Sequence, residues 1–377
     1  MNLEHVCRGC GSRSLSLSRG FDELVKITSD CRPVKTTTSL GECGDCGLSQ
    51  KLMGPSGQAE LDEIYREYVT YKDNLEPIVF SSDTDISRSN LIFSEINERL
   101  GLRKTGTLVD LGCGDGAFLK VFTRNKPKWD IYGYDVNENR KDEIDSICRS
   151  GGFLSGSLEH LPNQIDLVTL NYVAEHLFDV KSVLKSLIPK MSSDGIISIV
   201  VPNLEKNPYD IVVADHLSHY CAESIYSQLR SMMKVEVCAE FLGKELLVLG
   251  QITVKDSESD SFMPVRCRGL TQKSIEHLLW IRDLAKGLVR EYRQFGILGT
   301  AIAGTWLTCE LNCLETFFVE EDKRKQGSKH LQRSVIAPSE APPDVCIFLP
   351  FIPTVAITIR ERISTQTRAV IIDPWTA

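Results

Sequence analysis

The stretch that decides the fold is Thr107-Leu108-Val109-Asp110-Leu111-Gly112-Cys113-Gly114-Asp115-Gly116, which is followed at once by Ala117-Phe118-Leu119-Lys120-Val121-Phe122. An apolar run leads into a loop with glycine at every second position, and a helical pattern resumes after the loop. Glycines at such a turn let the backbone reverse tightly and let a ligand lie against bare main chain. The stretch therefore predicts the first strand, turn and helix of a nucleotide-binding α/β domain.

The spacing of the glycines indicates which ligand the turn binds. Dinucleotide enzymes usually show Gly-x-Gly-x-x-Gly, which places a pyrophosphate on the helix N-terminus. Here Gly112, Gly114 and Gly116 form Gly-x-Gly-x-Gly, and the acidic Asp110 stands just before them. A carboxylate is a poor neighbour for phosphate and suits the amine of a cationic ligand such as S-adenosylmethionine (SAM). Asp135, about twenty residues on, is placed to accept the ribose hydroxyls. The alternative is a glycine-rich turn that binds nothing.

Composition limits the kinds of partner that we expect this 377-residue chain to bind. Its net charge of −8 argues against a nucleic-acid partner, which needs a basic face, but allows an anionic small molecule. The N-terminus lacks the apolar core of an export signal, and no apolar run approaches the length of a membrane span. We therefore expect a cytoplasmic protein with no membrane partner. In that setting the 13 cysteines predict reduced thiols or metal ligands rather than disulfides.

Two Cys-x-x-Cys-Gly motifs lie near the N-terminus. Cys7 and Cys10 form the first, and Cys43 and Cys46 form the second. Glycine after each pair gives a sharp turn that can point two thiolates at one ion, and four thiolates complete a tetrahedral Zn²⁺ shell with no open position. The motifs therefore predict a structural zinc site that supplies much of the folding energy of this small segment. The alternative is two chance pairs; a redox role is not favoured, because neither pair follows a strand and opens a helix.

The rest of the chain alternates between apolar patterns typical of helices and those typical of strands. We predict helices at 59–68, 89–100, 137–148, 180–188 and 223–232, and strands at 131–134, near 153, at 165–170 and at 195–201, with a hairpin at 235–241 and 246–254. Such alternation is typical of a doubly wound, Rossmann-like parallel sheet, here with an antiparallel edge. Beyond it, a helix at 275–295 and strands at 297–303, 317–319 and 345–349 indicate a further α/β domain.

Further candidate site residues follow the ends of the predicted strands, where ligands bind in such sheets. Ser157 and Leu158 could contact the adenine ring, although an ordinary loop would look the same, and Tyr71 is a further candidate for the cofactor site. His176 follows the fourth strand, and the run Asp215-His216-Leu217-Ser218-His219-Tyr220 follows the fifth. Histidine titrates near neutral pH, and an adjacent acid can select its tautomer, so proton transfer is the predicted role. Capping or packing is the alternative for His176.

These features together make the chain resemble the class I SAM-dependent methyltransferases, and more closely the zinc-binding sugar C-methyltransferases. The resemblance rests on the four cysteines, the 110–116 loop, Asp215-His216, and two later runs, 317–327 and 343–349. It implies three parts: a zinc-binding segment at 1–58, a SAM-dependent methyltransferase domain at 59–262, and a Rossmann-like domain at 263–377. It also implies a small-molecule acceptor, a nucleotide-linked keto-deoxysugar, which such enzymes methylate on the carbon beside the keto group through an enolate.

The chain departs from the family pattern at several positions. The family loop Tyr-His-Glu-His corresponds to Val213-Ala214-Asp215-His216, with His219 at a later tyrosine. Ala303 stands where the family has the lysine of a C-terminal glycine turn. Phe351-Ile352 stands where the family has a Trp-Asn pair. Three hypotheses stay open: C-methylation with Asp215, His216 and His176 serving proton transfer, O- or N-methylation of a sugar or polysaccharide precursor, and a non-catalytic zinc-bearing binding protein. For the C-terminal domain, a role in packing alone also stays open.

Overall fold

A computed structural model of the chain describes residues 6–68, 78–79, 86–148, 150–251, 267–292, 294–313 and 315–375. In chain order the strands are β1 Leu15–Leu17, β2 Lys26–Ile27, β3 Pro33–Val34, β4 Ser39–Cys43, β5 Ser49–Leu52, β6 Ile78–Val79, β7 Ile86–Ser87, β8 Thr107–Leu111, β9 Asp130–Tyr134, β10 Gly151–Leu154, β11 Ile165–Asn171, β12 Met191–Pro202, β13 Ser218–His219, β14 Lys234–Phe241, β15 Glu245–Gln251, β16 Phe295–Leu298, β17 Thr316–Val319, β18 Lys329–His330, β19 Arg333–Ile336, β20 Cys346–Phe348 and β21 Val370–Ile372. The helices are α1 Gly57–Arg66, α2 Arg88–Leu100, α3 Ala117–Asn125, α4 Lys141–Ile147, α5 Val180–Leu187, α6 Ala222–Leu229, α7 Leu270–Glu291, α8 Ile302–Leu311 and α9 Pro353–Ile363.

The central sheet has seven strands in the order β10-β9-β8-β11-β12-β15-β14. Strands β8 to β12 pair in parallel, and β15 pairs antiparallel with both β12 and β14. The prediction of a parallel sheet with an antiparallel edge is thereby confirmed. Because successive side chains of a strand point to opposite faces, Leu108 packs in the cluster of α3 with Phe118, whereas Val109 packs in the cluster of α5 with Leu184. Both faces of the sheet are thus covered by helices.

A smaller sheet carries both cysteine motifs. Its strand order is β1-β4-β5-β13, so its last strand comes from Ser218–His219, far along the chain. The C-terminal sheet has the order β18-β19-β17-β16-β20-β21 and is parallel except for the β18–β19 pair. One core cluster joins Phe21, Ile211 and the α7 residue Ile275 to Trp306 of α8. Because that core is shared, the boundaries at 58 and 262 stay predictions.

The structure differs from the sequence prediction at several elements. The helix predicted at 137–148 is a 3₁₀ turn, Glu138–Arg140, followed by the short α4. The helix predicted at 275–295 begins and ends several residues earlier, as α7, and the following strand is the shorter β16. A disulfide joins Cys221, which precedes α6, to Cys267, which precedes α7, so the expectation that no disulfides form is wrong for this pair. None of the helices in the described ranges is long and apolar enough to cross a bilayer.

The β9–β10 pairing supplies a stability test. Gly151 begins β10 with φ +112°, and a Cβ added there would lie 2.0 Å from the carbonyl oxygen of Ile131. Alanine would strain the backbone and push β10 away from β9, so we expect Gly151→Ala to lower the free energy of unfolding by about 2 kcal/mol or more. Gly54→Ala is the matched control, since a Cβ there meets no atom within 4 Å and the change should stay within about 0.5 kcal/mol. Urea unfolding measures both, and equal stabilities would contradict the prediction.

Candidate active site

The glycine loop lies at the carboxyl end of β8, between the strand and α3. Gly112, Gly114 and Gly116 all have positive φ. Gly112 is also closely packed, because a Cβ there would lie 2.4 Å from Cγ2 of Val173. The turn that carries Val173 follows β11, the neighbour of β8 in the sheet. The loop that we predict to bind SAM is therefore in direct contact with the turn that leads to His176.

Two carboxylates border the glycine loop. Asp110 is buried, and its Oδ1 accepts hydrogen bonds from the Thr169 hydroxyl at 2.6 Å and the Asn171 amide at 3.3 Å. Burial raises the pKa of Asp110 to about 7, and the charge of Asp135 adds to that shift. Asp135 follows β9 and accepts a hydrogen bond from the backbone N–H of Gly114 at 2.9 Å. One carboxylate thus lies beneath the loop and the other beside it.

The remaining cofactor candidates lie at the end of β10. Ser157 caps the 3₁₀ turn Leu158–His160, and its hydroxyl accepts a hydrogen bond from the backbone N–H of Glu159. Leu158 packs against the core cluster of α5. The Tyr134 hydroxyl donates to the carbonyl of Gly156 at 2.6 Å and so ties this turn to β9. Tyr71 lies outside the described residues, and its predicted contact stays a prediction.

Three histidines and three carboxylates meet beside the glycine loop. This histidine cluster consists of Glu175, His176, Asp210, Asp215, His216 and His219. The rings of His176 and His216 are 4.7 Å apart and nearly perpendicular. Nδ1 of His176 lies 3.0 Å from the carbonyl oxygen of Asp215, which can only accept, so this nitrogen carries the proton. The structure thus brings together His176, Asp215, His216 and His219, all four residues predicted for proton transfer.

Sequence reasoning missed the residue that organises the cluster, Asp210. Its Oδ1 accepts from Nδ1 of His216 and its Oδ2 from Nδ1 of His219, both at 2.6 Å. Asp215, which we expected to orient His216, instead contacts His176 and accepts two hydrogen bonds from Ser29. His219 is only 1% exposed, so it supports Asp210 from behind rather than facing the cleft. The available signal was an acid six residues before one histidine and nine before another.

Burial and neighbouring charges shift the pKa values of these side chains, and the two effects oppose each other at Asp210 and His216. Despite burial, the two histidines hold the pKa of Asp210 well below its usual range. Burial opposes protonation of His216, but Asp210 and the other nearby carboxylates outweigh it and raise the pKa of His216 to about 9. Burial lowers the pKa of His176 to about 4 and raises that of Glu175 to about 8. Positive charge in the cluster therefore concentrates on the His216 side, next to Asp210.

The cysteine segment holds the loop that carries His216 and His219. Strand β5 pairs with β13, and the backbone N–H of Lys51 donates to the carbonyl of Leu217 at 2.9 Å. Arg8, inside the first cysteine turn, donates to the same carbonyl at 2.6 Å and to the carbonyl of Lys51 at 2.7 Å. The fully buried Lys51 ammonium donates to the carbonyl of Ile211, next to Asp210. The N-terminal segment is therefore part of the wall behind the histidines.

The four motif cysteines lie together. Their sulfurs are all within 4.8 Å of one another, with Cys7 and Cys46 3.5 Å apart and Cys10 and Cys43 3.6 Å apart. A tetrahedral ion with Zn–S bonds of about 2.3 Å requires sulfurs about 3.8 Å apart, so the thiols have the arrangement and the chemistry that Zn²⁺ needs. We therefore retain Zn²⁺ as a proposal for this site.

A lysine that the family resemblance did not predict lies beside the C-terminal glycine turn. Glu320, after β17, accepts from both the backbone N–H and the hydroxyl of Thr300 in the turn after β16. The Lys325 ammonium lies 3.3 Å from the Thr300 hydroxyl and 3.7 Å from Glu320. Ala303, in contrast, packs against the apolar cluster of α7 and α8. The cation at this turn is thus supplied from the following strand connection rather than from position 303.

Comparison with known proteins identifies the central domain. Residues 85–232 match the family model described as a methyltransferase domain, and they contain the glycine loop, His176 and the 210–219 loop. Residues 85–232 are a SAM-dependent methyltransferase domain. The seven-stranded sheet, which helices cover on both faces, agrees with the class I fold of this domain.

Several known proteins are similar to parts of this chain. The C-methyltransferase NovU of Streptomyces niveus is 22% identical over 269 residues, which span 62% of this chain and 63% of NovU. The uncharacterized methyltransferase YcgJ of Bacillus subtilis is 23% identical over 180 residues, 42% of this chain and 70% of YcgJ. The crystal structure of a SAM-dependent methyltransferase from Aquifex aeolicus is also similar, with 17% sequence identity and a TM-score of 0.37. The match covers 42% of this chain and 89% of the Aquifex chain.

We expect the methyltransferase domain to bind SAM in a pH-dependent way through Asp110. Only the ionised carboxylate attracts the amine of the donor, and the pKa of Asp110 is raised to about 7, so SAM affinity should weaken as the pH falls through 7. We expect Asp110→Asn to weaken SAM binding about tenfold to a hundredfold and to abolish this pH dependence. Calorimetric titration with SAM from pH 6 to 8, roughly one unit on either side of that pKa, measures both. Asp194→Asn, at an exposed ion pair with Arg103, is the control; wild-type affinity in Asp110→Asn would refute the role.

Proposed function

We propose that the enzyme methylates a carbon beside a keto group of a small molecule, a nucleotide-linked deoxysugar, through an enolate. The observation that supports this most directly is the pair of imidazoles, His176 and His216, beside the loop that we predict to hold the methyl donor. C-methylation requires a group that removes the α-proton before the carbon attacks the methyl group. The similarity to NovU, a C-methyltransferase by name, favours the same reaction.

The two imidazoles are oriented for proton transfer. Each has its Nδ1 bound to an oxygen, that of His216 to Asp210 and that of His176 to the Asp215 carbonyl. Nε2 of each ring is therefore the nitrogen available to a substrate. Burial keeps His176 neutral, whereas the carboxylates around His216 keep that ring protonated, so Nε2 of His176 is the nitrogen that removes the α-proton, with the charged His216 beside it. The electron pair stays on the enolate, which attacks the methyl carbon of SAM. The sulfonium then departs as the neutral thioether, S-adenosylhomocysteine.

O-Methylation is the second candidate, and one substitution favours it. Val213 stands where the related enzymes have the tyrosine that could polarise or protonate the sugar, and Val213 is buried and bridges to Ile27. An enolate needs a donor at its oxygen, whereas a hydroxyl acceptor needs only a base. The same imidazoles would then remove the proton of a hydroxyl group.

The proposed function is tested by isotope exchange. The enzyme is incubated with a candidate keto-sugar and a non-reactive SAM analogue in heavy water, and deuterium at the α-carbon is followed by mass spectrometry. Incorporation at one carbon supports the enolate. If no deuterium enters while native SAM yields a methyl ether from the same class of acceptor, O-methylation replaces the first proposal.

His216→Ala separates the role of the cluster from the fold. Loss of a proton-transfer group typically costs about a hundredfold or more in turnover, while SAM binding should be unchanged because the hydrogen bond of His216 goes to Asp210 rather than to the glycine loop. His160→Ala is the matched control, since His160 is exposed on the turn after β10. Turnover and SAM affinity are measured for both variants. A His216→Ala enzyme with nearly wild-type turnover would exclude a role for His216 in proton transfer.

We further propose that Zn²⁺ in the cysteine site is structural. Four thiolates leave no position for substrate, so the ion would supply folding energy to the segment that holds Leu217. We expect about one zinc per chain in the wild type and well below one in Cys46→Ser, with a lower melting temperature. Elemental analysis and thermal unfolding measure this, and Cys313→Ser, outside the cluster, should retain the metal. Equal zinc contents in the two variants would exclude the cysteine site.

A further inference from the structure

The histidine cluster contains one buried carboxyl group, that of Glu175, without a hydrogen-bond donor among the described residues. Glu175 is 1% exposed, and within the described part of the chain neither of its carboxyl oxygens has a hydrogen-bond partner. The other two acids differ, because Asp210 accepts from two imidazoles and Asp215 accepts from Ser29. A buried carboxylate without a partner is costly, and buried charges are usually paired or bound to a metal ion. The two carboxyl oxygens of Glu175 are therefore unused acceptor atoms inside the cluster.

The neighbours of Glu175 are metal-ligand types. One carboxyl oxygen of Glu175, one ring nitrogen of His176 and one of His216 all lie within 4.8 Å of one another. Two imidazoles and one carboxylate form a ligand set used for divalent ions such as Zn²⁺, Fe²⁺ and Co²⁺, and three protein ligands leave a position open. Modest movement of the three side chains would bring them around one ion.

The groups behind the two imidazoles support the same conclusion. A histidine that binds a metal ion through one nitrogen usually donates its other N–H to a carboxylate or a backbone carbonyl. His216 has Asp210 at 2.6 Å from its Nδ1, and His176 has the carbonyl of Asp215 at 3.0 Å from its Nδ1. Both rings are thus held with Nε2 available as the ligand. The outer groups of a metal site are already in place.

We infer that Glu175, His176 and His216 bind one divalent first-row metal ion, separate from the ion of the cysteine site. The inference goes beyond the proposed function and does not depend on enolate chemistry. Because the ion takes the same Nε2 atoms that proton transfer uses, the two uses exclude one another in a single molecule.

The test is a titration with Co²⁺ of the full-length enzyme whose cysteine site is filled with zinc. We expect one Co²⁺ per chain by calorimetry, with visible absorption of a nitrogen and oxygen site and without the near-ultraviolet charge-transfer band of a cobalt thiolate. Glu175→Gln keeps the shape of the side chain but removes its charge, and it should weaken Co²⁺ binding about tenfold to a hundredfold. SAM affinity of the same variant reports whether it is folded.

Two further variants complete the test. His176→Ala should weaken Co²⁺ binding similarly, and it tests the site even if Glu175→Gln does not fold. Glu236→Gln, at an exposed ion pair with Arg99, should bind Co²⁺ as the wild type does. Absence of Co²⁺ binding, wild-type affinity in both site variants, or a thiolate band would overturn the inference. Since binding is measured without acceptor, a failure of the isotope-exchange test leaves this result unaffected.

Discussion

The buried carboxylate of Asp210 is the constraint on which the rest of the active site depends. It receives a hydrogen bond from each of two histidines at 2.6 Å, and it is almost fully excluded from water. Removing either histidine would leave one carboxylate oxygen without its donor, and a buried acceptor without a partner typically costs about 1–3 kcal/mol. The 208–219 segment is therefore held in one conformation. That conformation orients Nε2 of His216, and it sends His219 into the N-terminal sheet as part of β13.

The same constraint explains why a small cysteine-bearing segment contributes to an active site. The loop that holds Asp210 and the histidines has little regular structure of its own, so its backbone groups need partners from elsewhere. Arg8 and Lys51 supply them at the carbonyls of Leu217 and Ile211. A segment this small buries too little apolar surface to be rigid alone, which is the physical reason that metal ligation would matter there. The loop is thus held by the N-terminal segment.

The sequence allowed residues of the donor half of the candidate site to be proposed because that half is local. Asp110 and the three glycines lie within seven residues, and the strand, turn and helix around them follow from one periodic pattern. The histidine cluster was only partly predictable. Asp210 and His216 are separated by a 3₁₀ turn whose direction no periodicity encodes, and Asp215 was a nearer but mistaken partner. The C-terminal strands β19 and β21 and the helix α9 were missed because their runs are short and half-exposed.

The acceptor is harder to infer than the donor for a related physical reason. Where the family resemblance implies a polar side chain, at Val213 and Ala303, this chain packs an apolar one: Val213 is buried and bridges to Ile27, and Ala303 lies against the α7–α8 cluster. Polar chemistry is instead concentrated in the six residues around Asp210 and in Lys325 at the C-terminal turn. Recognition of the acceptor must therefore rest on contacts made across the fold rather than within one motif. Such contacts leave no fixed spacing in a sequence, although they are specific in three dimensions.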